Sequence, residues 1–214
     1  MKTLKQLSLA MTAVALILLG LVLFVNFVGF PQAASGLRGA DELTELWPAP
    51  DFMLTDQAGE LTTAEDLRGQ VWAVDFFFMN CTAICPMLAE KMQWLSDELA
   101  DHPQRREMRL VSISLDPDRD TPDVLADYAE ALEAVPDEWL FLTGQTRQEV
   151  WKISSEGFRL AVTDTPDDPA NPIAHTGKIA LVDRDGQVRG YYDGLTPEGV
   201  KELKRDMLRL VERP

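Results

Sequence analysis

The stretch VWAVDFFFMNCTAICP, residues 71–86, connects an apolar segment directly to the only two cysteines of the chain, Cys81 and Cys85. A continuous apolar run rich in valine and phenylalanine predicts a β-strand. The apolar residues that follow recur at the spacing of one helix face: Leu88, Met92, Leu95 and Leu99. The sequence therefore predicts a strand that delivers a dithiol to the start of a helix.

The spacing of the two cysteines indicates a chemical role. If both positions are helical, the i to i+4 spacing brings their Cβ atoms to about 5–6 Å, so one soft metal ion or one disulfide can join them. The free N–H groups of a helix N-terminus also favour the thiolate, which is the nucleophilic and metal-binding form. A structural disulfide across so short a loop would restrict little of the chain. The alternative is that Cys85, on the same stripe as Leu88, is only a small buried apolar residue.

The rest of the chain alternates between predicted strands and helices. We expect a hairpin of residues 52–54 with 60–62, strands at 71–78, 108–115, 139–142, 178–183 and 187–192, and helices opened by Thr121, Thr146 and Thr196. These threonines are typical helix caps, and Thr146 with Glu149 predicts a capping box. The order predicts an α/β fold in which helices flank a central mixed sheet with a βαβ half and a ββα half. With the dithiol at a strand-to-helix junction, the fold is thioredoxin-like, although three residues separate these cysteines and two separate those of thioredoxin.

The N-terminus is predicted to anchor the protein in a membrane. Residues 7–30 form an uncharged and mostly apolar stretch, long enough to cross a bilayer core of ~30 Å. Lys2 and Lys5 precede it, which places the N-terminus in the cytoplasm by the positive-inside rule. We therefore expect a single-pass protein of a bacterial inner membrane whose C-terminal domain lies in the periplasm. A cleavable signal peptide ending near the small residues 33–35 is the competing interpretation.

The predicted organisation is a membrane anchor at residues 1–30, a linker at 31–48 and one thioredoxin-like domain at 49–214, which contains both cysteines. The chain has 20 basic and 35 acidic side chains, and Lys2 and Lys5 are the only charged ones in residues 1–30. The exported part therefore has a formal charge of −17, which makes nucleic acid an unsuitable partner.

Histidine is the next candidate metal ligand, and the chain has only two histidines. His102 lies at the end of a predicted helix, where a solvated loop residue is the ordinary interpretation. His175 precedes the strand at 178–183, and in a thioredoxin-like sheet that loop returns beside the dithiol. Two sulfurs and one imidazole form a soft ligand set that suits copper, while zinc remains chemically possible. Met79, Met87 and Met92 could add a weak thioether ligand, but filling the core is their default role.

An acidic turn at residues 116–122 has a spacing of aspartates that resembles a calcium loop. Thr121 stands where such a loop needs glycine, and Asp127 stands at the twelfth position in place of glutamate, so a calcium site is not expected. The simpler expectation is that Asp120 and Thr121 cap the following helix and that Arg119 pairs with a nearby carboxylate.

Three motifs together resemble the SCO/SenC family of copper proteins for cytochrome oxidase assembly, over roughly residues 48–212. They are Cys81-x-x-x-Cys85-Pro86, the turn SISLDPDRDTP at 112–122, and IAHT at 173–176 ahead of the strand at 178–183. The resemblance implies that Cys81, Cys85 and His175 bind copper and that Asp116 supports the site. It also implies that the recipient is the dinuclear copper centre of a cytochrome oxidase subunit. Many members have proline and an acidic residue inside the cysteine loop, where this chain has Thr82 and Ala83.

The function expected is that of a metallochaperone, with other periplasmic copper chaperones or thiol reductants as further partners. A thiol–disulfide oxidoreductase or redox sensor acting through Cys81 and Cys85 is the alternative. A peroxidase of the thioredoxin-like kind ranks last, because its single peroxidatic cysteine and activating arginine are not found. His175 discriminates the first two, since a metal site needs a third ligand and a dithiol reductant does not.

Overall fold

The computed structural model describes residues 43–169 and 171–212. Its strands are β1 Trp47–Pro48, β2 Met53–Asp56, β3 Leu61–Thr63, β4 Val71–Phe77, β5 Met108–Ser114, β6 Trp139–Thr143, β7 Val162–Asp164, β8 Ile173–His175, β9 Lys178–Val182 and β10 Gln187–Asp193. Its α-helices are α1 Cys85–Ala100, α2 Pro122–Ala131, α3 Arg147–Lys152 and α4 Pro197–Val211. Two 3₁₀ turns, Glu65–Leu67 and Arg105–Glu107, and a π-helical turn, Ile153–Gly157, complete the regular structure.

Eight of these strands form one mixed sheet in the order β1-β10-β9-β4-β5-β6-β2-β3. Strands β4, β5 and β6 are parallel, so the segments containing α1 and α2 form two βαβ crossovers. Strand β9 runs antiparallel to β4, and β10 runs antiparallel to β9, which places the ββα half on the other side of β4. The predicted βαβ and ββα halves are therefore confirmed, and β4 is the strand at which they meet.

Strand β4 is buried at every position because layers cover both faces of the sheet. Successive side chains of a strand point to opposite faces. On one face, the rings of Trp72 and Phe76 both make edge contacts with Phe158, which follows the π-helical turn. On the other face, Phe77 stacks on Tyr128 of α2 at 5.5 Å between ring centroids. The predicted stripe of α1 is confirmed, since Leu88, Met92, Leu95 and Leu99 are all fully buried.

The three predicted threonine caps behave differently. Thr196 accepts a hydrogen bond from the Gly199 N–H at 3.2 Å, as a helix cap should. Thr146 accepts from the Glu149 N–H, but the Glu149 carboxylate returns to the Gln145 N–H at 2.8 Å, so the capping box is shifted by one residue. Thr121 is the N-cap residue of α2, as predicted, but its side chain makes no cap hydrogen bond. Pro122 in the first turn begins helix α2 without it, because its fixed φ suits that position.

The folded domain begins earlier than the sequence predicts. Residues 43–48 fall within the predicted linker 31–48, yet Leu43 is buried and Trp47 pairs with Val188 of β10. Arg189 of β10 also donates a hydrogen bond to the Leu43 carbonyl. A two-residue strand carries too little pattern to be recognised, and its formation depends on the edge of β10. The linker prediction is therefore corrected to end before Leu43.

The predicted membrane anchor at residues 1–30 lies outside the described residues. In the described part of the chain, no helix is both long and apolar enough to cross a membrane.

The first turn of α4 depends on a glycine, and this gives the first prediction. A Cβ atom at Gly199 would lie 2.2 Å from the Asp193 carbonyl oxygen, a backbone atom that cannot rotate away. Although alanine is the better helix former, we expect Gly199→Ala to lower the free energy of unfolding by about 1–3 kcal/mol. Urea unfolding measures this, with Glu202→Ala on the exposed side of the same helix as the matched control. A Gly199→Ala variant as stable as the parent would contradict the close approach.

Candidate metal centre

The two cysteines lie in the turn between β4 and α1. Cys85 is the first residue of α1, whereas Cys81 precedes the helix and its N–H donates to the Phe78 carbonyl at 3.2 Å. The Cys85 N–H donates to the Cys81 sulfur at 3.4 Å. The condition that both positions are helical is therefore not met, because only Cys85 lies in the helix. Cys81 instead places its sulfur against one of the free N–H groups with which a helix begins.

His175 reaches this turn from the far end of the sequence. It ends β8, which pairs with β7 in a two-stranded sheet of its own. The His175 Nε2 atom lies 3.3 Å from the Cys85 sulfur, and its ring contacts Phe78 at 5.9 Å between centroids. The other ring nitrogen, Nδ1, lies 3.2 Å from the Thr176 carbonyl oxygen. A carbonyl can only accept, so Nδ1 carries the proton and Nε2 presents its lone pair to the sulfurs.

The structure thus brings together the three ligands predicted from the sequence. The two sulfurs and a nitrogen of His175 all lie within 4.8 Å of one another, and both thiols are free. Among the described residues, these three side chains form the one group of histidine, cysteine or acidic side chains that lie close enough together to hold a metal ion. Two thiolates and one imidazole are a soft donor set suited to Cu(I), and a zinc ion accepts the same ligand types.

Burial sets the protonation of these ligands in the metal-free protein. Burial raises the pKa of the Cys85 thiol well above its usual range, and its hydrogen bond with Cys81 raises it further. The expectation that the helix N-terminus favours the thiolate is therefore not met at Cys85, because burial disfavours the charged form. Burial also lowers the pKa of His175, so its imidazole is neutral at pH 7. Metal binding at this site must displace thiol protons, while the histidine needs to lose none.

The acidic turn contacts the cysteine turn through Asp120, which the sequence suggested as a cap of the following helix. The buried Asp120 carboxylate accepts from the Met79 N–H at 3.1 Å and from the Ser114 hydroxyl. It therefore joins the end of β5 to the residues just before Cys81, and it does not cap α2. Burial raises the pKa of Asp120. The sequence signal was its place in the 112–122 motif, but the contact it makes could not be inferred from that.

Asp116 makes different contacts. Its carboxylate binds Arg147 at 2.6 Å and lies 3.8 Å from Arg119, which confirms the predicted pairing of Arg119 with a nearby carboxylate. These contacts tie the acidic turn to the start of α3. A supporting role of Asp116 toward the three ligands stays a prediction.

A second polar contact holds the cysteine turn from the opposite side. The Asn171 side-chain oxygen accepts from both the N–H and the hydroxyl of Thr82, at 3.0 and 3.1 Å. Asn171 lies two residues before β8, so this contact joins the turn that contains the cysteines to the hairpin that contains His175. Neither residue was singled out as a site residue from the sequence.

A groove of about 380 Å³ opens beside the thiols. Its lining is mixed, with apolar side chains around the sulfurs and a few polar ones on α1: Phe78, Met79, Cys81, Cys85, Pro86, Ala89, Glu90, Gln93, Tyr128 and Leu132. Of the three methionines considered as extra ligands, Met92 is fully buried in the core, whereas Met79 and Met87 are 37% and 45% exposed. Core filling is therefore confirmed for Met92 alone.

This fold and this site define a class, that of thioredoxin-like proteins whose strand-to-helix junction presents two thiols and an imidazole to a soft metal. The SCO1/SenC family profile matches residues 43–212, and the chain belongs to the SCO1/SenC family. The SCO1 protein homolog of Bacillus subtilis strain 168 is 31% identical over 166 residues, which cover 78% of this chain and 83% of that protein.

Solved structures agree with this assignment. BsSco, described as a member of the Sco family of cytochrome c oxidase assembly proteins with a disulfide switch, is 28% identical with a TM-score of 0.69. The match covers 81% of this chain and 99% of that one. The copper-bound ScoI of Bradyrhizobium japonicum is 25% identical with a TM-score of 0.63, over 76% of this chain and 99% of that one. The predicted family and the thioredoxin-like fold of the described domain are confirmed.

A buried carboxyl group lies behind the thiols. Asp75 of β4 accepts from the Ser112 hydroxyl at 2.5 Å and lines a small cavity with Cys85, Tyr128 and Trp139. Burial raises the pKa of Asp75 to about 7, against the opposing effect of the Ser112 hydrogen bond. The folded protein therefore holds this proton up to about pH 7, whereas the unfolded chain loses it near the ordinary aspartate pKa of 3.8. The sequence offered only an acid inside an apolar strand as a signal.

This gives a prediction on stability. Between the unfolded and folded pKa values of Asp75, about 4 and 7, each pH unit costs the folded protein about 1.4 kcal/mol, because only the unfolded chain is ionised. Asp75→Asn removes this loss and keeps a polar partner for Ser112. We expect its advantage over the parent to grow by about 2–3 kcal/mol from pH 5 to pH 8. Urea unfolding of metal-free protein at both pH values measures it, with the exposed Asp97→Asn as control. An advantage equal at the two pH values would contradict the shifted pKa.

Proposed function

We propose that this protein binds copper and delivers it to the dinuclear copper centre of a respiratory cytochrome oxidase during assembly. The observation that carries the proposal is the convergence of Cys81, Cys85 and His175, with all ligand atoms within 4.8 Å. Two sulfurs and a neutral imidazole satisfy Cu(I) with three ligands. The mixed groove borders both buried cysteines, so a partner that receives the metal can approach the thiols from that side.

The comparisons support copper as the metal. The Bradyrhizobium japonicum relative is described with copper bound, and BsSco is described as belonging to a family of cytochrome c oxidase assembly proteins. We extend both descriptions to this chain because it has the matching fold and a Cys-Cys-His group. The partner that follows is the copper-binding subunit of an oxidase, with other periplasmic copper chaperones or thiol reductants supplying metal or electrons.

We also propose that the protein acts at a bacterial inner membrane. The support is the uncharged stretch at residues 7–30, which follows Lys2 and Lys5. One such helix would keep the copper-binding domain on the periplasmic side, facing the exported domain of an oxidase subunit. Confinement to the membrane surface raises the rate of encounter with a membrane-bound recipient.

A thiol–disulfide oxidoreductase or redox sensor is the second candidate. Two free thiols within 4.8 Å of each other can close a disulfide after a small adjustment, and BsSco is described with a disulfide switch. The buried and protonated state of Cys85 disfavours it as the attacking nucleophile. The metal-binding function is therefore favoured over simple thiol exchange.

His175→Ala separates the two candidates. It removes a nitrogen ligand and leaves both thiols in place, so Cu(I) affinity should fall at least 10–100-fold while disulfide exchange survives. Competition with a chromophoric Cu(I) chelator measures affinity, and exchange with a small disulfide measures thiol chemistry. His102→Ala is the matched control, because His102 lies far from the thiols and accepts from the Gln104 N–H. Oxidase assembly at limiting copper should fail with His175→Ala alone and recover in part with added copper. Assembly at the parental level with His175→Ala would refute the metallochaperone and favour the reductase.

The topology gives a separate prediction. A reporter enzyme active only in the periplasm, fused after Pro214, should be active and should sediment with the membranes. Replacing two apolar residues at the centre of the stretch, Leu18 and Leu19, with arginine should abolish export, because each central charge costs about 2.5–3.5 kcal/mol of insertion. Recovery of a soluble periplasmic protein beginning near Ser35 would instead show a cleaved signal peptide.

A further inference from the structure

The metal site is assembled from two distant parts of the chain. The main sheet brings them near each other, because β4 leads into the cysteine turn and pairs with β9, which begins three residues after His175. Cys85 and His175 are separated by 90 positions in the sequence. His175 belongs to the β7–β8 hairpin, which is a separate sheet and not a further strand of the eight-stranded one. Beyond the pairing of β4 with β9, the distance between the sulfurs and the imidazole depends on the contacts between this hairpin and the cysteine turn.

The Asn171–Thr82 contact is placed to do this. Thr82 directly follows Cys81, and Asn171 lies four residues before His175 in the segment that leads into β8. The Asn171 oxygen accepts two hydrogen bonds from Thr82, one from the backbone N–H and one from the hydroxyl. One end of the metal site is thus fixed by this pair, and the other end by the approach of His175 to Cys85.

The Asn171 amide is itself held in the orientation that this contact needs. Its Nδ2 group donates to one oxygen of the Asp168 carboxylate, and its backbone N–H donates to the other, both at 3.2 Å. A carboxylate only accepts, so the amide nitrogen must face Asp168 and the amide oxygen must face Thr82. Aspartate at position 171 would keep the acceptor for Thr82 but would set two carboxylates against each other. Asparagine therefore suits both neighbours at once.

We propose that Asn171 is a positioning residue that holds the cysteine turn and the histidine hairpin together, and so sets how firmly the site retains its metal. The proposal rests on the proposed copper-binding function. Thr82 is one of the two loop positions at which this chain departs from the pattern of many family members. Thr82 is exposed and Asn171 is half-buried, so the fold does not depend on the pair.

The first test replaces Asn171 with alanine in the purified full-length chain. We expect Cu(I) affinity to fall about tenfold, the lower end of what the loss of a ligand's supporting partner costs. The thiolate-to-Cu(II) charge-transfer absorption should also shift, because the angle between the ligands changes. Asn80→Ala is the matched control, since Asn80 is an exposed asparagine directly before Cys81. Thermal unfolding of the metal-free variant should match that of the parent.

The second test asks whether Asn171 acts through Thr82. Thr82→Val removes the hydroxyl donor, and Thr82→Ser keeps it, so valine should weaken copper binding severalfold and serine should restore it. In the Asn171→Ala background, Thr82→Val should have no further effect, because the bond it removes is already absent. Thr121→Val, at a threonine whose side chain makes no cap hydrogen bond, controls for the substitution itself. Additive losses in the double variant would overturn the proposal.

Hydrogen exchange of the Thr82 amide in metal-free protein gives a readout independent of copper. Asn171→Ala should speed this exchange, and Asn80→Ala should not. If the parent binds copper and Asn171→Ala retains the parental affinity and absorption, Asn171 does not position the site and the inference fails alone. If the parent itself binds no copper, the proposed function fails, and exchange at Thr82 still decides whether the contact fixes the turn.

Discussion

The structure depends on the complete burial of strand β4. Packing layers on both faces fix the strand in place, so the point at which it ends is fixed as well. Its last residues lead straight into the turn at Cys81, and α1 begins four residues later at Cys85. Because the strand and the buried stripe of α1 leave little freedom, the two sulfurs are held close before any metal arrives. That order offsets part of the entropy cost of forming a metal site.

Burial has a second consequence, which is electrostatic. It raises the pKa of the Cys85 thiol and of the Asp75 carboxyl and lowers the pKa of His175, so all three groups favour their neutral forms without metal. A bound cation reverses the balance for the thiol, since its charge replaces the lost solvation. The same burial that makes Cys85 a poor free nucleophile therefore favours its metal-bound thiolate. The burial of Cys85 thus favours metal binding over the thiol exchange of an ordinary thioredoxin-like reductant.

Two contacts of different burial hold the turn that contains the cysteines. The cysteine turn is held on one side by Asp120 through the Met79 N–H and on the other by Asn171 through Thr82. Asp120 is buried, whereas the Thr82 contact lies near the surface. The buried contact belongs to the rigid sheet, and the surface contact joins the separate hairpin of His175. A site held by a buried contact on one side and by a surface contact on the other can bind an ion and still release it.

The sequence by itself determined the strand and helix order and the buried stripe of α1, because these depend on local periodicity. With the family motifs, it also identified the three residues of the candidate metal site. It did not predict that residues 47–48 join the sheet, because that strand exists only through pairing with β10. Nor did it predict the contacts of Asp120 and Asn171, or the nonhelical position of Cys81. Those features arise from residues that are far apart in the sequence and meet only after the core has formed. They depend on the burial energy of the core, which cannot be read from a local sequence pattern.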